Sequence, residues 1–300
     1  MNIKNIFYLL VVTFIFSSCE DVIDLELEDG RTRLVVDGFL NSDSSVQKIR
    51  ITTTAPYFSN TATPVENGAA VKVVGPNGSE YNFINDGDGN YLYNPSTLGP
   101  MDSIGFDYKL ELVYENNTYI ANSILNPVPV IDSMTVAFEE EGFNGEEGYY
   151  TQFYARDFAG RKDYYWIKPF KNGEPVYKNE PAFMILSEDA AFGGDAADGL
   201  VFILPLRASI TDPESPYELV DTTLTLNRPL DVSSVELHSI NEDGYQFLGQ
   251  VGGTNGNDGL FAVPPSNIRS NITDASGDVQ DEVLGLFSLS GISKSQIKIK

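Results

Sequence analysis

Between residues 33 and 125, short apolar runs alternate with turn sequences. In Phe106–Tyr114 an apolar side chain stands at every second position, the period that places one face of a strand in a core. Turns are expected at Gly75–Gly78 and Asp86–Asn90, because glycine and asparagine tolerate positive φ. About seven strands in roughly 95 residues predict an immunoglobulin-like β-sandwich over residues 33–125. The predicted strands are Leu34–Leu40, Val46–Ile51, Ala70–Val74, Tyr81–Phe83, Tyr91–Tyr93, Phe106–Tyr114 and Tyr119–Ile124.

A domain boundary is predicted at residues 126–131, where two prolines separated by one residue favour an extended linker. Residues 132–300 then form a second, less regular β-rich domain with one short helix at Asn241–Gln250, in which Asn241 can cap the first turn. The fold class is therefore all-β, and residues 33–125 are expected to fold alone. The strands predicted in the second domain are Met134–Phe138, Tyr149–Ala155, Tyr164–Phe170, Val201–Leu206, Leu219–Leu226, Val235–Ile240 and Leu284–Leu289.

Residues 1–18 have the pattern of a signal peptide. Lys4 precedes an apolar run, Ile6–Phe16, that is too short to remain as a membrane span. The end of this run, Phe16–Cys19, resembles the lipobox of bacterial lipoproteins, in which the signal is removed before the cysteine and the thiol is acylated. The alternative is an ordinary signal peptide with an incidental cysteine. If Cys19 is acylated, it anchors the protein in a bilayer, and the acidic segment 19–32 acts as a tether between the lipid and the folded part.

Charge and residue counts exclude several function classes. The net charge of −24 disfavours nucleic acid as a partner. Cys19 is the only cysteine, so intrachain disulfides and cysteine zinc sites are excluded. A Ser-His-Asp arrangement would have to use His238, the only histidine, which we interpret as a strand residue on the polar face of Val235–Ile240. No cofactor is expected, and the protein is not expected to be an enzyme.

Asp86, Asp88 and Asn90 form one candidate metal site, because oxygens at alternate positions can wrap a calcium ion. The bidentate glutamate that completes an EF-hand is missing. The same residues also suit a tight hairpin turn, so a turn is the alternative interpretation.

Trp166, together with Tyr164 and Tyr165, could form a stacking platform for a ligand such as a sugar ring. Aromatic residues in strands also serve as core residues and cross-strand pairs, which is the alternative. Carboxylate pairs carry no information here, since a chain with 43 acidic residues places some pair at glycosidase spacing by chance.

Three triplets match a pattern that some Gram-negative lineages O-glycosylate in the periplasm, namely Asp, then Ser or Thr, then an apolar residue or Thr. They place candidate modification sites at Ser103, Ser133 and Thr222. Composition alone yields roughly one or two such triplets, so chance is the alternative.

Eight segments in fixed order carry a resemblance to a known family: Cys19–Leu25, Arg33–Gly38, Thr54–Phe58, Val65–Val74, Pro127–Ser133, Ser239–Leu248, Pro264–Ile268 and Ser270–Ile272. They resemble a family of bacterial lipoproteins that is defined only as a domain of unknown function, number 4249. The resemblance implies a lipoprotein of the outer membrane, often encoded beside a TonB-dependent channel, with no established activity. Glu20 and Asp21 resemble the acidic tag that routes such lipoproteins to the cell surface, although a plain tether on a periplasm-facing protein is the alternative.

Three hypotheses follow from these observations. The first is a non-enzymatic, lipid-anchored accessory subunit of a TonB-dependent outer-membrane transport system. The second is a stand-alone glycan- or peptide-binding lipoprotein that uses Trp166 and its neighbouring tyrosines. The third is a hydrolase that uses carboxylates, which no specific motif supports.

Overall fold

Burial follows the alternating sequence pattern in the first part of the chain. In strand β1 (Leu34–Asn41) every second side chain is buried, as expected for a strand with one face in a core. The same holds in β6 (Asp107–Tyr114), where Tyr108, Leu110 and Leu112 are buried. Seven strands occupy residues 34–124, and the all-β class predicted from the sequence is confirmed.

The computed structural model describes residues 31–56, 59, 61–96, 98–141, 146–178, 183–194, 196–218, 230–255, 268–275 and 283–299. Residues 32–55 and 60–300 form one compact unit. Arg31, Pro56 and Ser59 belong to a second unit whose other residues lie outside the described part.

The elements follow one another along the chain with strands throughout and only two α-helices among the described residues. The remaining strands are β2 (Gln47–Thr53), β3 (Ala70–Val74), β4 (Glu80–Asn85), β5 (Asn90–Tyr93), β7 (Asn117–Ile124), β8 (Ile131–Glu139), β9 (Gly148–Ala155), β10 (Tyr164–Lys171), β11 (Glu174–Pro175), β12 (Ile185–Glu188), β13 (Val232–Ile240), β14 (Thr273–Asp274) and β15 (Val283–Lys298). The helices are α1 (Leu204–Ala208) and α2 (Glu242–Asn255), and Pro76–Gly78 forms a 3₁₀ turn.

The first part of the chain folds as two layers around one apolar cluster. Strands β1, β2 and β5 lie side by side in one layer, and β3, β6 and β7 lie side by side in the other. Strand β4 pairs with β3 through residues 80–83 and with β5 through residues 84–85, so it connects the two layers. Both layers contribute buried side chains to the cluster, among them Ile49, Tyr91 and Leu110. This part therefore has the sandwich-like architecture that the strand pattern predicts.

Strand β15 joins this sandwich to the rest of the chain. Its residues 283–290 pair in parallel with β1, and its residues 291–298 pair antiparallel with β13. Val283, Phe287 and Leu289 enter the first apolar cluster, although they lie more than 150 residues beyond the other sandwich strands. Gly285 allows the close approach to β1, because a Cβ there would lie 2.0 Å from the carbonyl oxygen of Val36.

The predicted linker at residues 126–131 packs against β13 and β15. Ile131 N donates a hydrogen bond to Ser293 Oγ (3.1 Å), and Asn126 Nδ2 donates to the carbonyl of Ile240 (3.4 Å). The approach is close enough that a Cβ at Gly291 would lie 2.5 Å from the Asn126 carbonyl oxygen. The expected boundary thus separates two clusters of apolar side chains, but it does not separate the sheet, which continues through β15.

The second apolar cluster lies between β9, β10, β13 and the segment around α1. Phe153, Tyr165, Phe202 and Leu237 are fully buried in it. The predicted strand Val201–Leu206 is wrong, because its second half begins helix α1. Pro205 stands in the first turn of that helix, where a fixed φ and a missing N–H are tolerated. The predicted strand Leu219–Leu226 lies entirely outside the described residues.

The predicted short helix is confirmed as α2, which continues to Asn255. Asn241 caps it as expected, since its Oδ1 accepts a hydrogen bond from Gly244 N (2.9 Å). The side chains of Tyr245 and Leu248 pack on one side of the sheet, against Tyr164 and Ile240.

Candidate functional site

The candidate site lies on one side of the sheet that β1, β15, β13 and β10 form, and we call it the Trp166 face. Its members are Phe39, Trp166, Lys168, Glu236, His238, Ser290 and Lys294. Strand pairing places them together, because Trp166 is opposite His238, and Glu236 is opposite both Lys168 and Lys294. Directly paired residues of neighbouring strands share a face of the sheet.

The three aromatic residues predicted as a platform do not lie together. Successive strand residues point to opposite sides, so Tyr165 faces away from Trp166. Tyr165 is fully buried in the second cluster, and its hydroxyl donates to Asp157 Oδ1 (2.6 Å). Tyr164 shares the side of Trp166, but it is buried beneath Tyr245, with the ring centroids 4.9 Å apart. Of the predicted platform only Trp166 keeps a partly exposed ring.

The partners of Trp166 come from other elements. The edge of Phe39 meets the Trp166 ring with centroids 5.5 Å apart, and Phe39 in turn lies 6.2 Å from Phe247 of helix α2. All three rings are partly exposed. Edge-to-face contacts of this kind hold aromatic rings in a fixed relative orientation. The result is a preformed apolar surface at the centre of the sheet.

Lys168 lies beside this surface, with its Nζ 4.6 Å from the centroid of the Trp166 ring. A cation at that distance is attracted by the negative face of the indole. Burial lowers the pKa of Lys168, because the charged form loses hydration, whereas nearby Glu236 opposes the shift. Two further charged groups act on it from neighbouring strands, Lys294 lowering its pKa and Asp37 raising it.

His238 shares its side of β13 with Glu236, as the alternation predicts, but it is buried. Its exposed fraction is 5%, because the side of β13 that carries it is covered by Trp166 and by neighbouring strands. The imidazole Nδ1 lies 3.0 Å from Ser290 Oγ, and Nε2 lies 3.2 Å from Glu236 Oε2. Burial lowers the pKa of His238, and the hydrogen bond from His238 holds the pKa of Glu236 at about 2.

The two pKa shifts indicate which nitrogen of His238 carries the hydrogen in the series Ser290–His238–Glu236. Glu236 is ionised at neutral pH and can only accept, so neutral His238 carries its hydrogen on Nε2. Nδ1 is then an acceptor, and the single hydrogen of the Ser290 hydroxyl can go either to Nδ1 or to the carbonyl oxygen of Leu40. The carbonyl of Leu40 also lies 3.2 Å from Ser290 Oγ, which places this polar chain between β13, β15 and β1.

The order serine, histidine, acid is that of a hydrolytic triad, and His238 is the residue that a triad in this chain would need. Ser290, however, has an exposed fraction of only 3%. The cavity beside it has a volume of about 40 Å³, far below the few hundred Å³ of an ordinary substrate pocket. The geometry therefore explains how three strands are held together, and the cavity beside Ser290 has room for a few atoms but not for a whole substrate.

The candidate calcium residues form a turn. Asp86 Oδ1 accepts from Asp88 N (2.8 Å) and Asn90 N (3.3 Å), and Oδ2 accepts from Asn90 Nδ2 (2.9 Å). These hydrogen bonds lower the pKa of Asp86. Gly87 and Gly89 both have positive φ, which the tight turn between β4 and β5 requires. The carboxylate of Asp86 is thus used by the turn itself.

Three buried carboxylates lie in the loops beside β10, and no sequence pattern predicted them: Asp157, Asp163 and Asp189. Asp163 N donates to Asp189 Oδ1 (2.8 Å), and Arg161 contacts Asp163 Oδ1 at 2.5 Å. Burial is the main cause that raises the pKa of both Asp163 and Asp189. Across the described ranges no group of three or more His, Cys, Asp or Glu residues is placed to hold a metal ion.

The candidate modification sites differ in exposure. Ser133 is exposed on β8 next to an irregularity in the pairing with β9. Ser103 is half-buried in the loop between β5 and β6, beside exposed Ile104. Thr222 and the candidate lipidation residue Cys19 lie outside the described residues. In the part of the chain that the structure describes, no helix is both long and apolar enough to span a bilayer.

The chain belongs to the family described as Domain of unknown function (DUF4249), whose model matches residues 20–296. The match confirms the resemblance found in the ordered segments of the sequence. No curated protein matches the chain. Because the family description assigns no activity, the functional argument rests on the Trp166 face and on the residues around it.

Proposed function

We propose that this protein is a non-enzymatic, lipid-anchored accessory subunit of a TonB-dependent outer-membrane transport system, and that it holds the transported ligand on the Trp166 face. The anchor is acylated Cys19, and the body is exposed at the cell surface, with a periplasm-facing position as the alternative. The lipobox at Phe16–Cys19 and the family resemblance support the anchor and the channel partner.

The observation that carries the ligand-holding role is the partly exposed pair of rings, Trp166 and Phe39, with the ammonium group of Lys168 beside them. A flat aromatic surface with a few polar groups at its edge is typical of sites that bind sugars or peptides. The pair lies where the sheet passes from β1 through β15 and β13 to β10, so both apolar clusters support it. A rigid platform loses little conformational entropy when a ligand binds.

A stand-alone glycan- or peptide-binding lipoprotein is the second candidate, and the same aromatic surface favours it. The two candidates differ in the partner and share the ligand site. Association with a channel therefore decides between them, whereas ligand binding tests what they share.

The test uses tagged full-length protein purified from cross-linked outer membranes. We expect a TonB-dependent channel to co-purify with the wild type and with Trp166→Ala. Binding of soluble oligosaccharides or short peptides should be lost only in Trp166→Ala. Phe106→Ala is the matched control, because it removes a ring that is 57% exposed and lies outside the Trp166 face.

The experiment tests the channel partner and the ligand site independently. Absence of any channel from both preparations, with ligand binding intact, would leave the stand-alone candidate. Equal ligand binding by wild type and Trp166→Ala would show that the Trp166 face is not the ligand site.

A further inference from the structure

The small cavity beside Ser290 lies at the Trp166 face, between β1, β10, β13 and β15. Its volume is about 40 Å³, and Phe39, Asn41, Trp166 and Lys168 contribute to its lining. By the measure in which one water needs about 10–15 Å³, this space holds a group of about three heavy atoms. A carboxylate group has that size.

The orientation of Asn41 is fixed by two hydrogen bonds to its side-chain oxygen. Asn41 Oδ1 accepts from Asp43 N (2.9 Å) and from Gln47 Nε2 (3.3 Å). The amide nitrogen Nδ2, a strong donor, forms no hydrogen bond with any described residue. The side chain therefore presents a donor that is set in place before a ligand arrives.

Lys168 and Trp166, which also line the cavity, carry further donor groups. Among the described residues, the Lys168 ammonium group forms no ion pair within 4.0 Å, and the Trp166 indole N–H has no hydrogen-bond acceptor. Of the two acidic groups that act on Lys168, Glu236 already contacts His238 (3.2 Å) and Lys294 (3.2 Å), and Asp37 forms no ion pair with Lys168 within 4.0 Å. Lys294 is also paired with Asp43 (2.5 Å). A cavity with three unused donors and one positive charge is complementary to an anion.

We infer that this cavity is a subsite for a carboxylate of the ligand, while the attached ring or apolar group lies on Trp166 and Phe39. This inference rests on the proposed function for the location of the ligand, and it adds the chemical class. The carboxylate could belong to an acidic sugar or to the C-terminus of a peptide. Both present two acceptor oxygens next to a group that can stack on an aromatic ring.

Trp166 is the only tryptophan of the chain, so its intrinsic fluorescence reports on this site alone. Purified full-length protein is titrated with an oligosaccharide of galacturonic acid and with the neutral galactose oligosaccharide of equal length. In a second arm, a short peptide with a free C-terminal carboxylate is compared with its amidated form. At least one acidic probe is expected to bind roughly ten- to a hundredfold more tightly than its neutral counterpart.

Matched variants test the donors. Lys168→Met keeps the aliphatic stem and is expected to abolish the preference for the acidic probe. Asn41→Asp keeps the oxygen that binds Asp43 N and Gln47 but replaces the donor by an acceptor, so it should have the same effect. Lys48→Met is the control, because Lys48 is an exposed cation on the same side of the sheet, outside the cavity. Circular dichroism verifies that each variant is folded.

Two results would overturn the inference: equal binding of acidic and neutral probes, or an unchanged preference in both Lys168→Met and Asn41→Asp. Binding of neutral probes alone would retain the aromatic platform and reject the carboxylate subsite. Channel association is measured separately by co-purification, so failure of the proposed accessory role is distinguishable from failure of the subsite.

Discussion

The side chain of Asn271 pairs with the backbone of Phe287 as a neighbouring strand would. Asn271 Nδ2 donates to the Phe287 carbonyl (2.8 Å), and Asn271 Oδ1 accepts from Phe287 N (3.0 Å). Two residues further along β15, Ser123 Oγ accepts from Leu289 N (2.9 Å). Side chains thus connect β15 to the layer that contains β7 and β14, in which none of the described strands pairs with β15 directly. The N-terminal sandwich is therefore completed by residues from the opposite end of the chain.

A fragment of residues 33–125 is consequently expected not to fold alone, in contrast to the expectation from its strand pattern. It lacks Val283, Phe287 and Leu289, and burying three such side chains contributes roughly 5–9 kcal/mol. That is comparable with the whole stability of a small domain, about 5–15 kcal/mol. Circular dichroism of the fragment should show an unfolded chain, and addition of a peptide of residues 268–300 should restore the β signal. A cooperatively folded fragment without the peptide would contradict this prediction.

Asn271→Ala tests the side-chain connection itself. The substitution leaves the backbone N–H and carbonyl of Phe287 without partners at a largely buried position, which costs about 1–3 kcal/mol of unfolding free energy. Chemical denaturation should show this loss. Asn122→Ala is the matched control, because Asn122 is exposed on β7 and its replacement should change stability by less than about 0.5 kcal/mol. Equal stability of the two variants would show that the connection contributes nothing.

Acid should destabilise the protein through the His238–Glu236 pair. The folded state holds the pKa of His238 below its ordinary value of 6.5, because burial disfavours the charged ring. Unfolded chains therefore take up this proton more readily, and stability falls as the pH drops below 6.5. The pKa of Glu236 is lowered from 4.5 to about 2. Its contribution to the free energy of unfolding is therefore complete above pH 4.5 and is lost as the pH falls towards 2. Both groups act in the same direction.

Glu236→Gln separates the two contributions. In the wild type, the free energy of unfolding should fall by roughly 3 kcal/mol between pH 4.5 and pH 2 because of Glu236. The variant should lack this decrease. Denaturation followed by Trp166 fluorescence at a series of pH values measures it. Glu80→Gln, at an exposed ion pair with Lys72, should leave the pH profile unchanged. A wild-type profile that is flat below pH 6.5 would rule out this account of the pair.

Local patterns predicted the strands of the first part because alternation is a property of neighbouring residues. The pairing of β1 with β15 joins residues about 250 positions apart, such as Val36 and Gly285, and no local pattern contains it. The burial of His238 was not predicted for the same reason, since its partners Trp166 and Ser290 come from distant strands. The alternation of side chains along β10 could, however, have predicted which residues share a side with Trp166. It puts Lys168, two residues after Trp166, on the same side and Tyr165 on the other.

Cys19→Ala is expected to release the protein from the membrane fraction. Each buried CH₂ of an acyl chain contributes about 0.8 kcal/mol, so a multiply acylated terminus holds the protein firmly, while an acidic body has no attraction to anionic lipids. Fractionation and immunoblotting measure the distribution. Glu28→Gln, which leaves the lipobox, the cysteine and the two acidic residues after it unchanged, serves as the control for expression and export. Membrane retention of Cys19→Ala that persists after high-salt washing would show that the lipid is not the anchor.

Exposure at the cell surface is expected to depend on the acidic residues that follow the cysteine. Protease added to intact cells should degrade the wild type, and the double variant Glu20→Ala, Asp21→Ala should be protected, because it keeps the anchor but loses the surface tag. Cys19 is unchanged in both forms, so membrane fractionation should be identical for the two. Lysed cells treated in the same way show that both forms are cleavable once accessible. Equal protection of both forms in intact cells would place the Trp166 face in the periplasm, where a ligand would have to be received after it has crossed the outer membrane.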